Sequence, residues 1–561
     1  MNDPGKTNMR SGGQVLVDAL EVHGCRFAYL VPGESYLAVL DALHDSTIRS
    51  VGARHEGGAA IMAEAFGKLT GEPGVAMVTR GPGATNAAHG LHIAHQDSTP
   101  MILFVGQVAR GTSDREAFQE IDYRRMFGET AKWVGQIEDP ARIPEFVSRA
   151  YHTALAGRPG PVVLALPEDM LVEPSEVADA KPHRVAEPAP QPAAMAELRE
   201  RLAAAQRPMV VVGGPGWDQA ARDDLRAFAK ANGLPVGVSF RAQDRFDNAH
   251  PNYAGHVGIG INPPLAERVK DADLLIVIGP RMGEATTGYT LIDIPTPRQT
   301  LVHVHPGAEE LGRVYQPALP IHASVGAFLS AAVAMEPVDG GRWAGAVAAA
   351  HDDYLKHATP TQIPGTLQLG EVIAWLSDSL PEDAIIANGA GNFAIWLHRF
   401  FKYSGRRTQL GPTSGSMGYE MPAAVAAKLE APDRMVLSFS GDGGFQMTGN
   451  ELATAVQHGL PIIAFIINNG LYGTIRMHQE RDYPGRTSAT ELYNPDYVKL
   501  AEAYGAHGEM VARTQDFAPA FERAAASGKP ALIELRVDPE AITPAATLSG
   551  IRKAALAKAK G

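Results

Sequence analysis

The sequence predicts an α/β protein made of three open parallel-sheet domains, and three observations carry that prediction. First, the chain has 561 residues, more than one hydrophobic core can serve, so about three to four domains are expected. Second, short apolar runs such as PMILFVG, MVLSFSG and LPIIAFII end in turn residues and alternate with amphipathic helical stretches. That is the pattern of buried parallel strands with helices on both faces. Third, two Pro- and Ala-rich stretches read as linkers, because proline excludes regular helix and sheet. One runs through Pro182, Pro188, Pro190 and Pro192, the other over 337–366. They leave blocks at 10–180, 190–336 and 366–545, followed by a basic, Ala-rich tail at 546–561.

Each block repeats a strand–helix–strand scheme. In the first, GVAMVTRG precedes the helical stretch ATNAAHGLHIAHQD, and PMILFVGQ follows. In the second, segments rich in Ala, Leu and Arg separate PMVVVGGPG from DLLIVIGP. In the third, DAIIANG, RMVLSFSGDG and PIIAFIINN recur at similar intervals. Right-handed crossovers make such strands parallel, so their carboxyl ends share one edge of the sheet.

Composition narrows the class of function. With 45% hydrophobic and 20% charged residues the chain is an ordinary globular protein. A formal charge of −12 without a basic stripe argues against a nucleic-acid partner. Cys25 is the single cysteine, which excludes an internal disulfide and a cysteine-rich metal site. The N-terminal MNDPGKTNMRSGGQ is polar, and no apolar run approaches the roughly 20 residues that span a bilayer. A cytoplasmic enzyme with no membrane partner is expected.

The segment from Arg434 to Gly473 carries the strongest chemical signal. RMVLSFS reads as a strand, GDGG as a tight turn, FQMTGNELATAVQHG as an amphipathic helix and LPIIAFIINN as a second strand. Ligands of open α/β sheets bind at the carboxyl edge, where Asp442 and Asn469 would both project. A carboxylate and an amide oxygen are hard ligands suited to magnesium, which also takes phosphate oxygens. Gly441, Gly443 and Gly444 let a diphosphate approach the backbone, and the following helix offers its first N–H groups.

GDGGFQ…NN resembles the diphosphate and metal motif of thiamine-diphosphate (ThDP) enzymes of the pyruvate oxidase and acetolactate synthase superfamily. The resemblance implies a magnesium ion held by Asp442, Asn469 and the backbone oxygen of Leu471, with Tyr472, Gly473 and Thr474 beside the cofactor. The stretch IRSVGARHEGGAAIMAEAFGKLTG resembles the segment that carries the family's catalytic glutamate, here Glu56. A carboxylate on the aminopyrimidine nitrogen N1′ favours the tautomer whose exocyclic nitrogen removes the thiazolium C2 proton.

Further matches run almost end to end. TRGPGATNAAHG resembles the glycine-rich turn beside the pyrimidine, with Asn86 at its polar position, and the early loop VPGES brings Gly33 to the cofactor. DREAFQEID resembles the loop bearing Phe118 and Gln119 near the substrate, and GRPGPVVLALPEDM the close of the pyrimidine-binding domain. SGSMGYEMPAA implicates Gly415, Ser416 and Met417 in holding the cofactor bent. NGAGNFAIW supplies Ala390, Gly391, Asn392 and Phe393 as the other diphosphate wall. The three blocks then correspond to pyrimidine-binding, middle and diphosphate-binding domains. The family's active site lies between subunits, which implies a homodimer or homotetramer with Glu56 of one chain opposite the metal site of its partner.

Within the superfamily the chain most resembles the large, catalytic subunit of acetolactate synthase, which decarboxylates pyruvate and joins the remaining unit to a second 2-oxo acid. That resemblance leaves a regulatory small subunit open as a partner. Three residues depart from the pattern: His478 stands where a tryptophan helps select the acceptor, Phe393 replaces a histidine, and Glu34 replaces a small residue. The His-His pair common among the superfamily's decarboxylases is absent from the matching loop, which favours carboligation. A decarboxylase or lyase for another acid is the alternative, and a non-catalytic regulatory paralogue the alternative of a different class. Joint retention of Glu56, Asp442 and Asn469 argues against the last.

FAD stays open. VVVGGPGW and IGPRMGEATTG, with Arg281, resemble flavin-contacting segments, whereas GHVGIGINPP departs from the usual Gly-Met-His-Gly loop. The visible absorbance of the purified protein decides between a flavoprotein and a middle domain without cofactor. His89, His92 and His95 sweep around one predicted helix without a completing carboxylate, so surface or packing roles are expected rather than zinc. For His303 and His305, on one strand face, packing or a nucleotide contact is expected.

Overall fold

The computed structural model describes residues 9–404 and 408–558. Among them lie three six-stranded sheets in which every pairing is parallel. The first runs Arg49–Gly52, Phe27–Leu30, Gly74–Val78, Met101–Gln107, Pro161–Pro167, Trp133–Gln136 across the sheet. The middle sheet runs Tyr253–Val257, Val236–Ser239, Pro208–Val212, Leu274–Ile278, Thr300–His305, Leu319–His322. The third runs Thr408–Leu410, Ile385–Asn388, Val436–Gly441, Ile462–Asn468, Ala531–Arg536, His507–Val511.

Numbering the strands of each sheet along the chain, the first and third share the order 2-1-3-4-6-5, and the middle one has the dinucleotide-binding order 3-2-1-4-5-6. Helices cover both faces, so the central strands are dry on both sides. Every residue of Gly74–Val78, Met101–Gln107 and Pro161–Pro167 is buried. That double burial makes them legible as continuous apolar runs. The chain divides into two compact units. One comprises the described residues up to Ala186 with Val425–Glu430, the other Glu187–Ala424 with the described residues from Ala431 onward.

Two sequence readings are corrected. The stretch 337–366 is not a plain linker: between its prolines, Ala344–His357 forms a helix that buries Val347, Ala350 and Tyr354. AGAVAAAHDDYLKH contains no proline, and its alanines have the highest helix propensity. The helix expected after GDGG is broken into Asp442–Thr448, a 3₁₀ turn at Gly449–Glu451 and Leu452–Gln457. Gly449 has its own cost in a helix and abuts the Phe445 ring, where a Cβ would lie only 2.6 Å from Cε1.

The tail forms the helix Leu548–Lys558, packed on the helix Gly473–Asp482. Arg552 makes a bidentate ion pair with the fully buried Glu480, holding that carboxyl below its usual range, and the Gly485 N–H supplies a further donor at 3.0 Å. Arg552→Ala is expected to lower stability by about 2 kcal/mol, because it leaves a buried carboxylate with the Gly485 N–H as its remaining donor. Urea denaturation at neutral pH measures it, and an unchanged midpoint would show the pair contributes nothing.

Candidate active site

The first unit presents Glu56 at the carboxyl edge of the first sheet, as the opening residue of the helix Glu56–Thr70. His55 caps that helix, its ring accepting the Gly57 N–H at 3.0 Å. Asn86, in the helix Pro82–Asp97, donates from Nδ2 to Glu56 Oε2 at 2.9 Å. A Cβ on Gly83 would lie 3.5 Å from Glu56 Oε1, in ordinary contact. Glu56 is half-buried and Asn86 exposed, so the pair is presented outward.

Arg80, which carried no expectation, organises the neighbouring loops. Buried within the TRGPG turn, it donates from Nε to the Phe118 carbonyl at 3.1 Å and from Nη1 to Glu168 at 2.7 Å. Its Nη2 lies 3.5 Å from Glu34, whose side chain is 67% exposed; at that exposure the pairing orients Glu34 more than it stabilises the fold. The loop that follows the strand Met101–Gln107 holds Asp114, Glu116 and Gln119 at φ of 62°, 50° and 67°. Such left-handed non-glycine residues persist only where the surroundings over-determine them. Gly81 meets Gln119 directly, since a Cβ there would lie 2.7 Å from that of Gln119. Phe118 is left 71% exposed at the same edge. Gly33 is packed on Thr79, and a Cβ on it would lie 2.5 Å from Thr79 Cβ.

In the second unit, Ile385–Asn388 and Val436–Gly441 are neighbours in the third sheet, and the connections diverge on either side of them. That switch point is where open sheets hold ligands. Asp442 leaves the second of these strands, and Asn469 leaves the adjacent Ile462–Asn468. Asp442 Oδ2 accepts from the Gly470 N–H at 2.9 Å and from Asn494 Nδ2 at 2.7 Å. Burial raises the Asp442 pKa, and these donors with the Gly443 N–H oppose the rise. Asn469 Oδ1 accepts the Leu471 N–H at 3.1 Å. Carboxylate, amide and backbone carbonyl are oxygen donors of the kind magnesium prefers, and Asp442, Asn469 and Leu471 are the candidates to supply them. A Cβ on Gly443 would lie 2.5 Å from Tyr472 Cε1, and one on Gly444 3.0 Å from Glu420 Oε1. The first turn of this helix therefore admits no larger residue at Gly443 without displacing the Tyr472 ring.

The remaining candidates of this unit gather around the turn. Thr474 Oγ1 accepts the Asn392 N–H at 3.0 Å and donates to Asn392 Oδ1 at 2.9 Å, tying Ala390–Phe393 to the helix after Asn469. The Phe393 ring packs over Gly441 and Gly391. Gly415 is left-handed at φ 68°, and the Ser416 hydroxyl donates to the Met417 carbonyl at 3.2 Å. The next residue's carbonyl, that of Gly418, accepts from Thr448 Oγ1 at 2.6 Å, which fastens this segment to the motif helix. His478 lies one turn beyond Thr474, with Nδ1 buried and without a hydrogen-bond partner among the described residues.

Several participants escaped sequence reasoning. Asn494 joins Asp442 to Asn468 Oδ1 (2.9 Å) from a loop with no local signature. Glu420 lies fully buried within SGSMGYEMPAA, a charged residue among small and apolar ones, which was the available signal. Asp442→Ala is expected to weaken magnesium-dependent ThDP binding at least about 100-fold, since it deletes the one charged ligand of the set. Isothermal titration measures it, and wild-type affinity would misplace the metal site.

The middle sheet gathers the segments that resemble flavin contacts at its own switch point. A Cβ on Gly214 would lie 2.1 Å from the Gly279 carbonyl oxygen, and Trp217 Nε1 donates to the Gly213 carbonyl at 2.8 Å. The GHVGIG loop folds onto Glu284–Thr287 through Ile259 N–H to Ala285 O at 3.1 Å. These close approaches of one backbone segment to another explain the glycines. His303 is buried against the Pro280 carbonyl at 3.0 Å, and burial lowers its pKa, the mark of a neutral packed ring. His89 and His92 are exposed on their helix. Among the described residues no three histidine, cysteine, aspartate or glutamate side chains are arranged to hold a metal. Nor is any helix among them long and apolar enough to cross a membrane.

Comparison with known proteins agrees with this architecture sheet by sheet. Residues 10–126 match the thiamine pyrophosphate enzyme N-terminal TPP binding domain, 195–332 the central domain and 389–535 the C-terminal TPP binding domain. The chain is 33% identical to the acetolactate synthase large subunit of Corynebacterium glutamicum over 558 residues, covering 95% of this chain and 87% of that protein. It is 32% identical to an acetolactate synthase of Mycobacterium bovis, covering 92% and 86%. With the acetolactate synthase isozyme 2 large subunit of Escherichia coli the identity is 29%, covering 94% and 96%. The three parallel sheets, the cofactor-domain matches and the end-to-end identity converge: the chain belongs to the acetolactate synthase large-subunit family of thiamine pyrophosphate enzymes.

Proposed function

We propose that this protein is a ThDP- and magnesium-dependent carboligase of the acetolactate synthase type. It decarboxylates a pyruvate-like 2-oxo acid and joins the remaining fragment to a second carbonyl compound. ThDP supplies, when bound, the electron sink that decarboxylation of a 2-oxo acid needs. Asp442, Asn469 and the Leu471 carbonyl would hold magnesium, and Gly441, Gly443, Gly444 and Ala390–Phe393 would line the diphosphate. Glu56 holds a proton at the pyrimidine nitrogen N1′, oriented by Asn86. Gly415, Ser416 and Met417 would support the bound cofactor, and Phe118, Gln119 and His478 would flank the substrate.

The observation that carries this reading is the coexistence of a hydrogen-bonded Glu56–Asn86 pair with a buried Asp442 fixed by Asn494 and by the Gly470 N–H, next to Asn469. A chain kept only for binding has no physical need of both. The outward presentation of Glu56 supports a homodimer or homotetramer whose sites combine residues of two copies. The large-subunit names of the relatives support a regulatory small subunit, and the absence of a membrane-crossing helix among the described residues is compatible with a cytoplasmic setting. The deciding assay incubates the protein with ThDP, magnesium and pyruvate. Acetolactate is the expected product; acetaldehyde alone, or no turnover, would overturn carboligation from pyruvate.

A further inference from the structure

We propose that Arg241, a residue of the middle domain, is a positioning residue of the cofactor site that holds the backbone segments 389–393 and 412–417 at their working separation. The proposal rests on the ThDP reading above and extends it to a residue that no motif marks.

Arg241 follows the strand Val236–Ser239, is 7% exposed and adopts a left-handed backbone, φ 58°. A long side chain takes that conformation only where the surroundings impose it. Its Nη2 donates to the Gly389 carbonyl at 2.7 Å and its Nη1 to the Pro412 carbonyl at 2.6 Å. Those carbonyls belong to different loops of the third sheet. Gly389 follows Ile385–Asn388 and opens the wall Ala390–Phe393; Pro412 follows Thr408–Leu410 and opens the stretch that carries Gly415 and Met417. The two strands are hydrogen-bonded neighbours, so one planar guanidinium between their carboxyl ends sets how far the loops splay.

The surroundings are shaped for this fork. A Cβ on Gly411 would lie 3.1 Å from Arg241 Cδ and 3.0 Å from Asn388 Oδ1, so the stem passes where residue 411 has no side chain. Gly389 is also packed against Glu420, since a Cβ there would fall 1.9 Å from Glu420 Oε2. The seam between the middle and third sheets is also held by contacts other than those of Arg241. Gln243 Nε2 donates to the His398 carbonyl at 2.7 Å, and Asn248 exchanges two 2.9 Å bonds with the Tyr403 backbone along the same seam. These contacts never reach residues 389 or 412. Arg241 is thus a seam residue whose bonds end on the Gly389 and Pro412 backbone.

The test titrates ThDP into the magnesium-loaded full-length protein. Intrinsic fluorescence reads affinity, and near-ultraviolet circular dichroism reads the bound aminopyrimidine. Melting temperature is recorded in parallel. Loss of two charge-assisted bonds predicts at least about a tenfold weaker Kd for Arg241→Ala, with a diminished pyrimidine band. Asn248→Ala, which weakens the same seam elsewhere, should stay within about threefold whatever its Tm. Wild-type affinity in Arg241→Ala, or losses in both variants that merely track Tm, would overturn the proposal. If Arg241→Ala does not fold, Arg241→Lys replaces it, because a point charge cannot bridge both carbonyls; unchanged affinity there overturns it equally. A wild-type protein that binds no ThDP would instead overturn the underlying cofactor reading.

Discussion

Glu56→Gln slows exchange of the C2 proton of bound ThDP by about two to four orders of magnitude, while cofactor affinity changes only a few-fold. The substitution keeps the shape and leaves an oxygen for the Asn86 Nδ2 bond, now 2.9 Å long. It removes the negative charge that, in the proposed role, holds a proton at the pyrimidine nitrogen. The diphosphate and metal contacts assigned to Asp442, Asn469 and the glycine turn are untouched, which is why binding and exchange should separate. Proton exchange followed by NMR after rapid quenching gives the rate, and titration gives the affinity. Exchange at the wild-type rate would remove Glu56 from this role. A parallel collapse of binding would make it a structural residue.

Glu420→Gln is expected to stabilise the cofactor-free protein increasingly as pH rises, by roughly 3 kcal/mol at pH 8. Burial pushes the Glu420 carboxyl from its ordinary 4.5 up to about 7, and nearby backbone N–H groups and the charge of Arg241 offset it only in part. The folded state therefore holds the proton more tightly than the unfolded chain. Stability from this group is fully present below about pH 4.5 and is lost as pH rises through about 7. Glutamine mimics the neutral acid at every pH. The difference between variant and wild type should grow across that window and level off above it. Urea denaturation at pH 5, 6, 7 and 8 measures it, and a pH-independent difference would show that the acid is already ionised in the fold.

The sheets were the most legible part of this molecule. RMVLSFS and LPIIAFII read directly as strands because both faces of Val436–Gly441 and Ile462–Asn468 are dry, so the second is an unbroken apolar run and the first is broken only by the small buried Ser438 and Ser440. The layout was harder where one residue outweighed a pattern. Gly449 broke a helix whose amphipathic spacing continued through it, and a proline-free window formed a helix inside a stretch that reads as linker. At the site, residues inside motifs could be nominated from the sequence. Partners brought in from afar could not, because a hydrogen bond such as Asn494 to Asp442, or Arg241 to Gly389, leaves no periodicity and no local composition. Arg80 sits within a motif, yet its ties to Phe118, Glu168 and Glu34 depend on three separate loops converging at one sheet edge.

The seam at Asn248, Gln243 and Arg241 also matters to anyone recombining this chain with its relatives. A chimera that swaps the middle sheet as one block would carry 239–248 with it, and would import a foreign edge against Gly389, Gln409 and Pro412. Crossovers placed instead on either side of that segment, so that it is inherited with the third sheet, keep the matched surfaces together. Such hybrids should retain bound cofactor where whole-block exchanges lose it. The functional boundary of the C-terminal module thus lies partly inside its neighbour.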